Sequence, residues 1–122
     1  MSEISDLTLA VHSVRGARAV VSVEGDLDLN TAGELYARAG ALLAAQPLMV
    51  MDLSGVAFCD SSGFNSLLRL RRRADEAGGQ LVLAAPPPNV ARLLALTGAE
   101  GVFAVYGTRS EALAAHPVAD DG

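Results

Sequence analysis

Residues 48–63 of this chain are LMVMDLSGVAFCDSSG, and this stretch decides the fold. Residues 48–53 are apolar apart from Asp52, and they show no alternation of polar and apolar side chains. A run of this kind is typical of a central strand that is covered on both faces, as in parallel sheets. An amphipathic helix is predicted to start near Ser62, so the strand leads directly into a helix, as it does in α/β folds.

The stretch ends in Asp60-Ser61-Ser62-Gly63, at the junction of the predicted strand and helix. Backbone N–H groups and the helix dipole converge at such a junction, which suits a phosphoryl group or an oxyanion. Two hydroxyls beside an acid and a glycine indicate either covalent modification or nucleophilic chemistry. The plainer alternative is that one of the two serines simply caps the helix, since aspartate, serine and glycine all suit that position. These roles are compatible, because one hydroxyl can cap while the other faces solvent.

The chain before this stretch is predicted to begin with a hairpin. Residues 7–11 alternate in polarity as a half-buried strand does, and residues 18–24 form a second strand after a turn at residues 15–16. Residues 25–28 are predicted to be a loop. The hairpin would form one edge of a sheet.

Two capping boxes mark the starts of helices. In the first, Thr31 accepts a hydrogen bond from a free backbone N–H and Glu34 reaches back to another. This helix is predicted to stop at Pro47. The second capping box lies at residues 108–111 and opens a short last helix.

Helices and strands alternate after the serine motif. The predicted elements are a helix that ends at Gly78-Gly79, a strand over residues 81–83, a helix through residues 90–96 that ends at Gly98, and a strand over residues 102–105. The order predicts an α/β fold: a mixed, mostly parallel sheet of four to five strands with an antiparallel N-terminal edge hairpin, flanked by about four helices. One domain is expected over residues 1–117, with a disordered tail over residues 118–122.

Composition and charge exclude several classes of function. The 122 residues fit one domain, and a 51% share of hydrophobic residues is enough for one core. A net charge of -5 argues against wrapping nucleic acid or an anionic membrane. The single cysteine, Cys59, excludes an internal disulfide and a cysteine-based metal site. Because the chain shows neither a secretion signal nor a long apolar stretch, a cytoplasmic location is expected.

A hydrolase is the enzymatic alternative. Residues 59–63 differ from the nucleophile elbow G-x-S-x-G only at the first glycine, where Cys59 stands. The chain is short for an α/β hydrolase. Its histidines, His12 in the edge hairpin and His116 beside Pro117, are poorly placed to act as a base. We therefore predict no catalytic residue.

Two further groups of charged residues have both a plain and a functional interpretation. Asp26 and Asp28 fit a solvated turn, but they also follow the strand beside Ser61, and the ends of neighbouring strands form the binding rim of α/β sheets. The second group is a set of arginines on one predicted helix, for which a solvated face is favoured over a contact with an acidic partner. Its members are Arg69, Arg71, Arg72 and Arg73.

Residues 50–63 resemble the corresponding segment of the STAS domain of bacterial anti-sigma-factor antagonists. The resemblance continues in residues 25–28, which match an early Gly-acid-x-Asp loop of that family. Residues 78–81 match the turn after its second helix, and residues 90–98 match a late helix with its glycine stop. The matching segments cover essentially the whole chain in order, and the resemblance implies the STAS fold.

The resemblance also implies a mechanism and partners. In that family the serine directly after the aspartate is phosphorylated, which implies Ser61 as the acceptor, with Ser62 as the second choice. The implied partner is an anti-sigma factor that is also a serine kinase. The unphosphorylated antagonist binds it and frees a sigma factor, phosphorylation breaks the complex, and a phosphatase restores it. ATP and magnesium would belong to the kinase, so no cofactor or metal is expected in this chain.

The partner-binding residues implied by the resemblance surround the serine motif. They are Asp26, Asp28, Asp60, Ser61, Ser62, Gly63, Phe64 and Asn65. Asn65 stands where many members have a second glycine, and Phe64 where leucine is common, so both positions are expected to influence partner choice. No direct contact with nucleic acid or a membrane is expected. The alternative function is that of a non-phosphorylated STAS adaptor subunit in a transporter or signalling complex.

Overall fold

The computed structural model describes residues 7–118, without the side chain of residue 100, and within this range five strands form one mixed sheet. The strands are β1 (Leu7–Arg15), β2 (Arg18–Leu27), β3 (Leu48–Cys59), β4 (Gln80–Ala84) and β5 (Ala104–Tyr106), and they lie side by side in this order. The pair β1 and β2 is antiparallel, and the other pairs are parallel. The predicted α/β class and the antiparallel edge hairpin are therefore confirmed. Of the predicted tail, residues 119–122 lie outside the described residues.

The helices pack on both faces of this sheet. Within the described range they are α1 (Ala32–Leu43), α2 (Ser61–Glu76), α3 (Pro88–Thr97) and α4 (Arg109–Ala115). Right-handed crossovers between parallel strands in sequence order place the connecting helices, α1 to α3, on the same face. Met51 of β3 packs in the core on that side, whereas Val50 packs with Ala112 of α4 on the opposite side. Because β3 is buried on both faces, residues 48–53 show no alternation.

The predicted loop over residues 25–28 is wrong for residues 25–27, because β2 continues through Leu27 and only Asp28 lies beyond the strand. The register with β3 shifts on either side of Glu24 and Gly25, and the strand then pairs again, with Leu27 opposite Cys59. A β-bulge absorbs extra residues in this way without ending the strand. The buried side chain of Leu27 anchors the end of the strand in the core.

The first capping box does not form. The Thr31 hydroxyl donates to the backbone oxygen of Asp26 at 2.8 Å and accepts from the backbone N–H of Asp28 at 3.0 Å. Glu34 pairs instead with Arg38, at 3.5 Å. Thr31 therefore fastens the end of β2 to the start of α1, where it is the residue before the first helical turn.

The second capping box forms in part, and the last strand starts later than predicted. The Thr108 hydroxyl accepts from the backbone N–H of Glu111 at 3.0 Å, but the Glu111 carboxylate accepts from Gly107 rather than from Thr108. A 3-10 turn at Ala99–Gly101 follows α3, so β5 spans Ala104–Tyr106 instead of residues 102–105.

Candidate functional site

The serine motif lies at the carboxyl edge of the sheet, where β2 and β3 end side by side. Leu27 pairs with Cys59, and the backbone N–H of Asp60 donates to the oxygen of Leu27 at 3.1 Å. The residue after β2, Asp28, is thus brought close to the residues that follow β3. The structure therefore places the two stretches that the sequence singled out at one rim, as expected from strand order.

Gly63 allows the first turn of α2 to rest directly on the end of β2. A Cβ atom at this position would overlap the backbone oxygen and carbon of Leu27. No side chain larger than hydrogen fits between the two segments. The close approach of the serines to the β2 rim therefore depends on this glycine.

Asp60, and not a serine, caps α2. Its Oδ1 accepts a hydrogen bond from the backbone N–H of Gly63 at 2.9 Å, and its backbone is extended, as a capping residue requires. The alternative in which a serine caps the helix therefore does not hold. Neither Ser61 nor Ser62 uses its hydroxyl in a hydrogen bond with any residue that the structure describes. Ser61 is exposed and Ser62 is half-buried, so the Ser61 hydroxyl is the more accessible nucleophile.

Asp28 has a structural role at this rim. Its Oδ1 accepts from the backbone N–H of Asn30 at 2.9 Å and of Thr31 at 3.2 Å, and its backbone oxygen accepts from Ala32 at 2.8 Å. The carboxylate thus closes the turn that leads into α1 and is held by these two hydrogen bonds. Asp28 as a residue is half-buried.

The rim carries a negative field. Asp26, Asp28 and Asp60 all lie where β2 and β3 end, and no basic side chain forms an ion pair with them among residues 7–118. The N-terminal end of the α2 dipole supplies a partial positive charge at Ser61. An anion added at Ser61 is therefore stabilised by the dipole of α2 but repelled by the three carboxylates. The described residues also contain no group of three or more His, Cys, Asp or Glu side chains that could hold a metal ion.

Cys59 packs as a small hydrophobic residue. Its side chain is 8% exposed and belongs to the main core. Burial, aided by the charge of Asp60, raises the pKa of the Cys59 thiol to about 11. The thiolate needed for nucleophilic or redox chemistry is therefore scarce at neutral pH.

Phe64 and Asn65 occupy different environments. Phe64 is 3% exposed and packs edge-to-face against Phe103, with ring centroids 6.5 Å apart. An effect of Phe64 on a partner would therefore pass through the position of α2. Asn65 is exposed on the first turns of the same helix.

The sequence reasoning missed two apolar side chains beside the site. Leu29 is 74% exposed in the turn before α1, and Phe58 is 49% exposed opposite Asp26. The exposure of Leu29 could have been predicted, since it is a large apolar residue between Asp28 and Asn30 in a segment with turn-forming neighbours. Both residues extend the acidic rim with apolar surface.

The two histidines form their hydrogen bonds away from the serines. His12 bonds to the Ser22 hydroxyl at 2.7 Å, and His116 bonds to the Tyr106 hydroxyl at 3.1 Å. Ser22 pairs with Asp52 of β3. At about 3.3 Å per residue, this pair lies roughly 20 Å from the carboxyl end of β3, where the serine motif begins. The distance places His12 out of reach as a base for Ser61.

Among the described residues, no helix is long and apolar enough to cross a membrane.

Comparison with known proteins finds a matching family and a similar protein. The family model described as Mlab, STAS domain matches residues 11–106. An anti-sigma-F factor antagonist, RsfB of Mycobacterium tuberculosis, is 32% identical over 117 residues, which cover 93% of this chain and 92% of that protein.

Solved structures give the same picture. An anti-sigma factor antagonist from Mycobacterium paratuberculosis superposes with a TM-score of 0.79 at 34% identity, over 89% of this chain and 92% of that one. The unphosphorylated form of the anti-sigma factor antagonist SpoIIAA superposes with a TM-score of 0.76 at 21% identity, over 93% of this chain and 100% of that one. At this lower identity the likeness concerns the fold alone.

Proposed function

The chain belongs to the STAS-domain family, and from this membership we propose that it is an anti-sigma-factor antagonist that regulates sigma-factor-dependent transcription. In its unphosphorylated form it binds an anti-sigma factor that is also a serine kinase, and so frees a sigma factor. Phosphorylation of Ser61 ends the complex, and a phosphatase restores it. One observation carries the proposal: Asp60 caps α2, which leaves the exposed Ser61 hydroxyl without a structural role.

The chemistry of the switch is a phosphoryl transfer from the kinase's ATP. A bond forms between Ser61 Oγ and the γ-phosphorus, the bond from that phosphorus to the β,γ-bridging oxygen breaks, and ADP leaves. The hydroxyl proton passes to a base of the kinase. ATP and magnesium belong to the kinase, and this chain contributes only the acceptor and its surroundings.

The surroundings of Ser61 support a switch in which one phosphate ends binding without unfolding the domain. Phosphoserine adds about -1.5 to -2 charges at neutral pH, and the N-terminus of α2 favours that charge. In a protein interface the same charge would be pressed against Asp26, Asp28 and Asp60 and would lose its water. The modification therefore ejects the partner and leaves the domain folded.

The contact surface that we propose combines the rim with the exposed start of α2. It comprises Asp26, Asp28, Leu29, Phe58, Asp60, Ser61, Ser62 and Asn65. Gly63 and Phe64 support this surface from beneath, because both are buried. Carboxylates next to exposed apolar groups favour a partner with basic side chains around an apolar centre.

The test is a pull-down from lysate of the source organism, with wild type and Ser61→Asp as parallel baits. We expect wild type to capture a serine-kinase anti-sigma factor and Ser61→Asp to lose it. With the purified kinase and labelled ATP, Ser61→Ala should take up no phosphate, whereas the matched control Ser62→Ala should be labelled like wild type. Strong labelling of Ser61→Ala would contradict the acceptor assignment and point to Ser62.

The same pull-down distinguishes the proposed antagonist from a transporter adaptor, and an esterase assay distinguishes it from an enzyme. If both baits captured the same transporter subunits, the chain would be an adaptor that is not switched at Ser61. Esterase turnover that is lost in Ser61→Ala would instead indicate an enzyme. Either result would overturn the proposed function.

A further inference from the structure

The arginines of α2 fall into two classes. Arg71 is occupied: its Nε donates to the backbone oxygen of Val102 at 2.8 Å, and Asp75 lies 3.5 Å from its guanidinium. The other three have no carboxylate or hydrogen-bond partner among the residues that the structure describes. We call the surface formed by Tyr36, Arg69, Arg72 and Arg73 the arginine face.

Tyr36 of α1 holds two of these cations in place. The guanidinium carbon of Arg69 lies 4.1 Å from the centre of the Tyr36 ring, and that of Arg73 lies 5.5 Å from it. The ring itself packs against the main core. A cation above an aromatic ring is stabilised by the ring's quadrupole, yet the N–H groups at the edge of the guanidinium stay free. Arg69 is thus preorganised to donate to an anion with a small further loss of side-chain freedom.

The arginine face adjoins the serine motif on the same side of α2. Ser62, Asn65, Arg69 and Arg72 follow one another at spacings of three or four residues, which places them in one row along the helix. Arg69 lies about 10 Å beyond Ser62 at the rise of an α-helix. A specific interface covers about 800 Å² per partner and so spans on the order of 30 Å. A protein seated on the serine motif can therefore reach the arginine face within one ordinary interface.

We propose that the arginine face is a second docking surface for the same protein partner and receives an acidic patch of it. The inference rests on the proposed function and extends it. Aspartate or glutamate side chains of the partner would pair with Arg69 and Arg72, and the planar guanidinium of Arg69 suits a bidentate carboxylate contact. The uncompensated positive charge stands out on a chain whose net charge is -5.

The order of charges along α2 also specifies the orientation of the partner. Its surface must be basic opposite the acidic rim and acidic opposite the arginine face. The reversed arrangement brings like charges together at both ends and is disfavoured. Two weak charge contacts of opposite sign thus set the direction in which the kinase approaches Ser61.

The test measures the affinity of charge-reversed variants for the purified serine-kinase anti-sigma factor, by calorimetry at low and high salt. We expect Arg69→Glu combined with Arg72→Glu to weaken binding by about tenfold or more at low salt, because attraction is replaced by repulsion, and less at high salt. Tyr36→Leu should weaken binding by about threefold, because it removes the ring that holds Arg69. Because Arg69 and Arg72 are both exposed, we expect their reversal to leave the thermal midpoint unchanged. Thermal melting of each variant checks that it remains folded.

Arg92→Glu is the matched control for each reversal. Arg92 is an exposed arginine on α3, so the substitution changes the net charge by the same amount at another place. We expect Arg92→Glu to bind within about twofold of wild type. If it weakened binding as much as Arg69→Glu does alone, only net charge would matter and the inference would be overturned. Unchanged affinity of the double variant would overturn it as well.

A second arm keeps this inference separate from the proposed function. If wild type failed to bind the kinase, the proposed function would fail, and the arginine face would be tested with a poly-glutamate peptide by NMR. Shifts of the α2 amides near Arg69, absent in the double variant, would support a surface for acidic protein. No shift with the peptide, or binding only to phosphatidylglycerol vesicles, would overturn it.

Discussion

Gly63 has no room for a methyl group, because the backbone oxygen of Leu27 occupies that space. Gly63→Ala must push the first turn of α2 away from the end of β2. We expect the variant to lose about 1–3 kcal/mol in the free energy of unfolding, as overpacked sites do. Urea unfolding at neutral pH measures the loss.

Gly33 is the matched control, since it is a helical glycine near the start of α1 with open space around a new Cβ. Gly33→Ala should keep or raise the free energy of unfolding, by up to about 1 kcal/mol, through the better helix propensity of alanine. Equal unfolding midpoints for Gly63→Ala and wild type would show that α2 does not rest on the end of β2.

At the residue scale, the sequence predicted which residues meet at the rim but not the part that each plays. Asp60, Ser61 and Ser62 are all acceptable helix caps, and local preference cannot rank them. The choice follows from tertiary structure, because the Asp60 N–H is already bound to Leu27 at the end of β2. Thr31 was misassigned for the same reason, since its hydroxyl bonds to β2 and not to its own helix.

At the scale of elements, α4 is joined to the sheet by an ion pair. Arg109 Nε lies 3.0 Å from Oδ2 of Asp52, whose Oδ1 accepts from the Ser54 N–H at 2.9 Å. Burial alone raises the pKa of Asp52, but the hydrogen bonds from Ser54 and the charge of Arg109 outweigh it, so the pKa is lowered on balance. This carboxylate therefore stabilises the fold above its unfolded pKa of about 3.9, and the contribution is lost as the pH falls through the lower folded value.

We expect Asp52→Asn to reduce the acid sensitivity of the fold. At neutral pH the variant should lose about 1 kcal/mol in the free energy of unfolding, a modest value because Arg109 is partly exposed. Well below pH 4 the wild type also loses this contribution, so the two proteins should converge. Urea unfolding at both pH values measures the difference. Asp75→Asn removes an exposed carboxylate on α2 and is the control, and a constant gap between Asp52→Asn and wild type would refute the assignment.

The elements that could be predicted are those with strong internal periodicity. Residues 48–53 and the apolar row of α2 indicated the central strand and its helix without ambiguity. The end of β2 could not be predicted, because Gly25-Asp26 has turn-forming composition and the strand continues only through bulged pairing with β3. The start of β5 was missed because Val102 and Phe103 have strand-like side chains but follow a 3-10 turn.

At the scale of the whole molecule, the proposed switch requires that folding and binding respond differently to one added charge. The chain already carries a net charge of -5, and a phosphate on Ser61 brings it to about -7. The Ser61 hydroxyl has no partner to lose among the described residues, and the α2 dipole favours an anion there. The fold should therefore tolerate a modification that the interface does not.

We predict that Ser61→Asp shifts the thermal midpoint by no more than a few degrees, equivalent to about 1 kcal/mol or less, while it abolishes capture of the kinase. Ser110→Asp is the matched control, because Ser110 is also an exposed serine in the first turn of a helix at the carboxyl edge of the sheet. Ser110→Asp adds the same charge in the same kind of helical position, but away from the rim that carries Asp26, Asp28 and Asp60. Calorimetric melting and kinase binding are measured on both variants. Loss of binding in both would mean that added charge alone weakens the complex, and a large drop in the Ser61→Asp midpoint would mean that the switch acts by unfolding. Loss of binding confined to Ser61→Asp at an unchanged midpoint is the result that local repulsion at the rim requires.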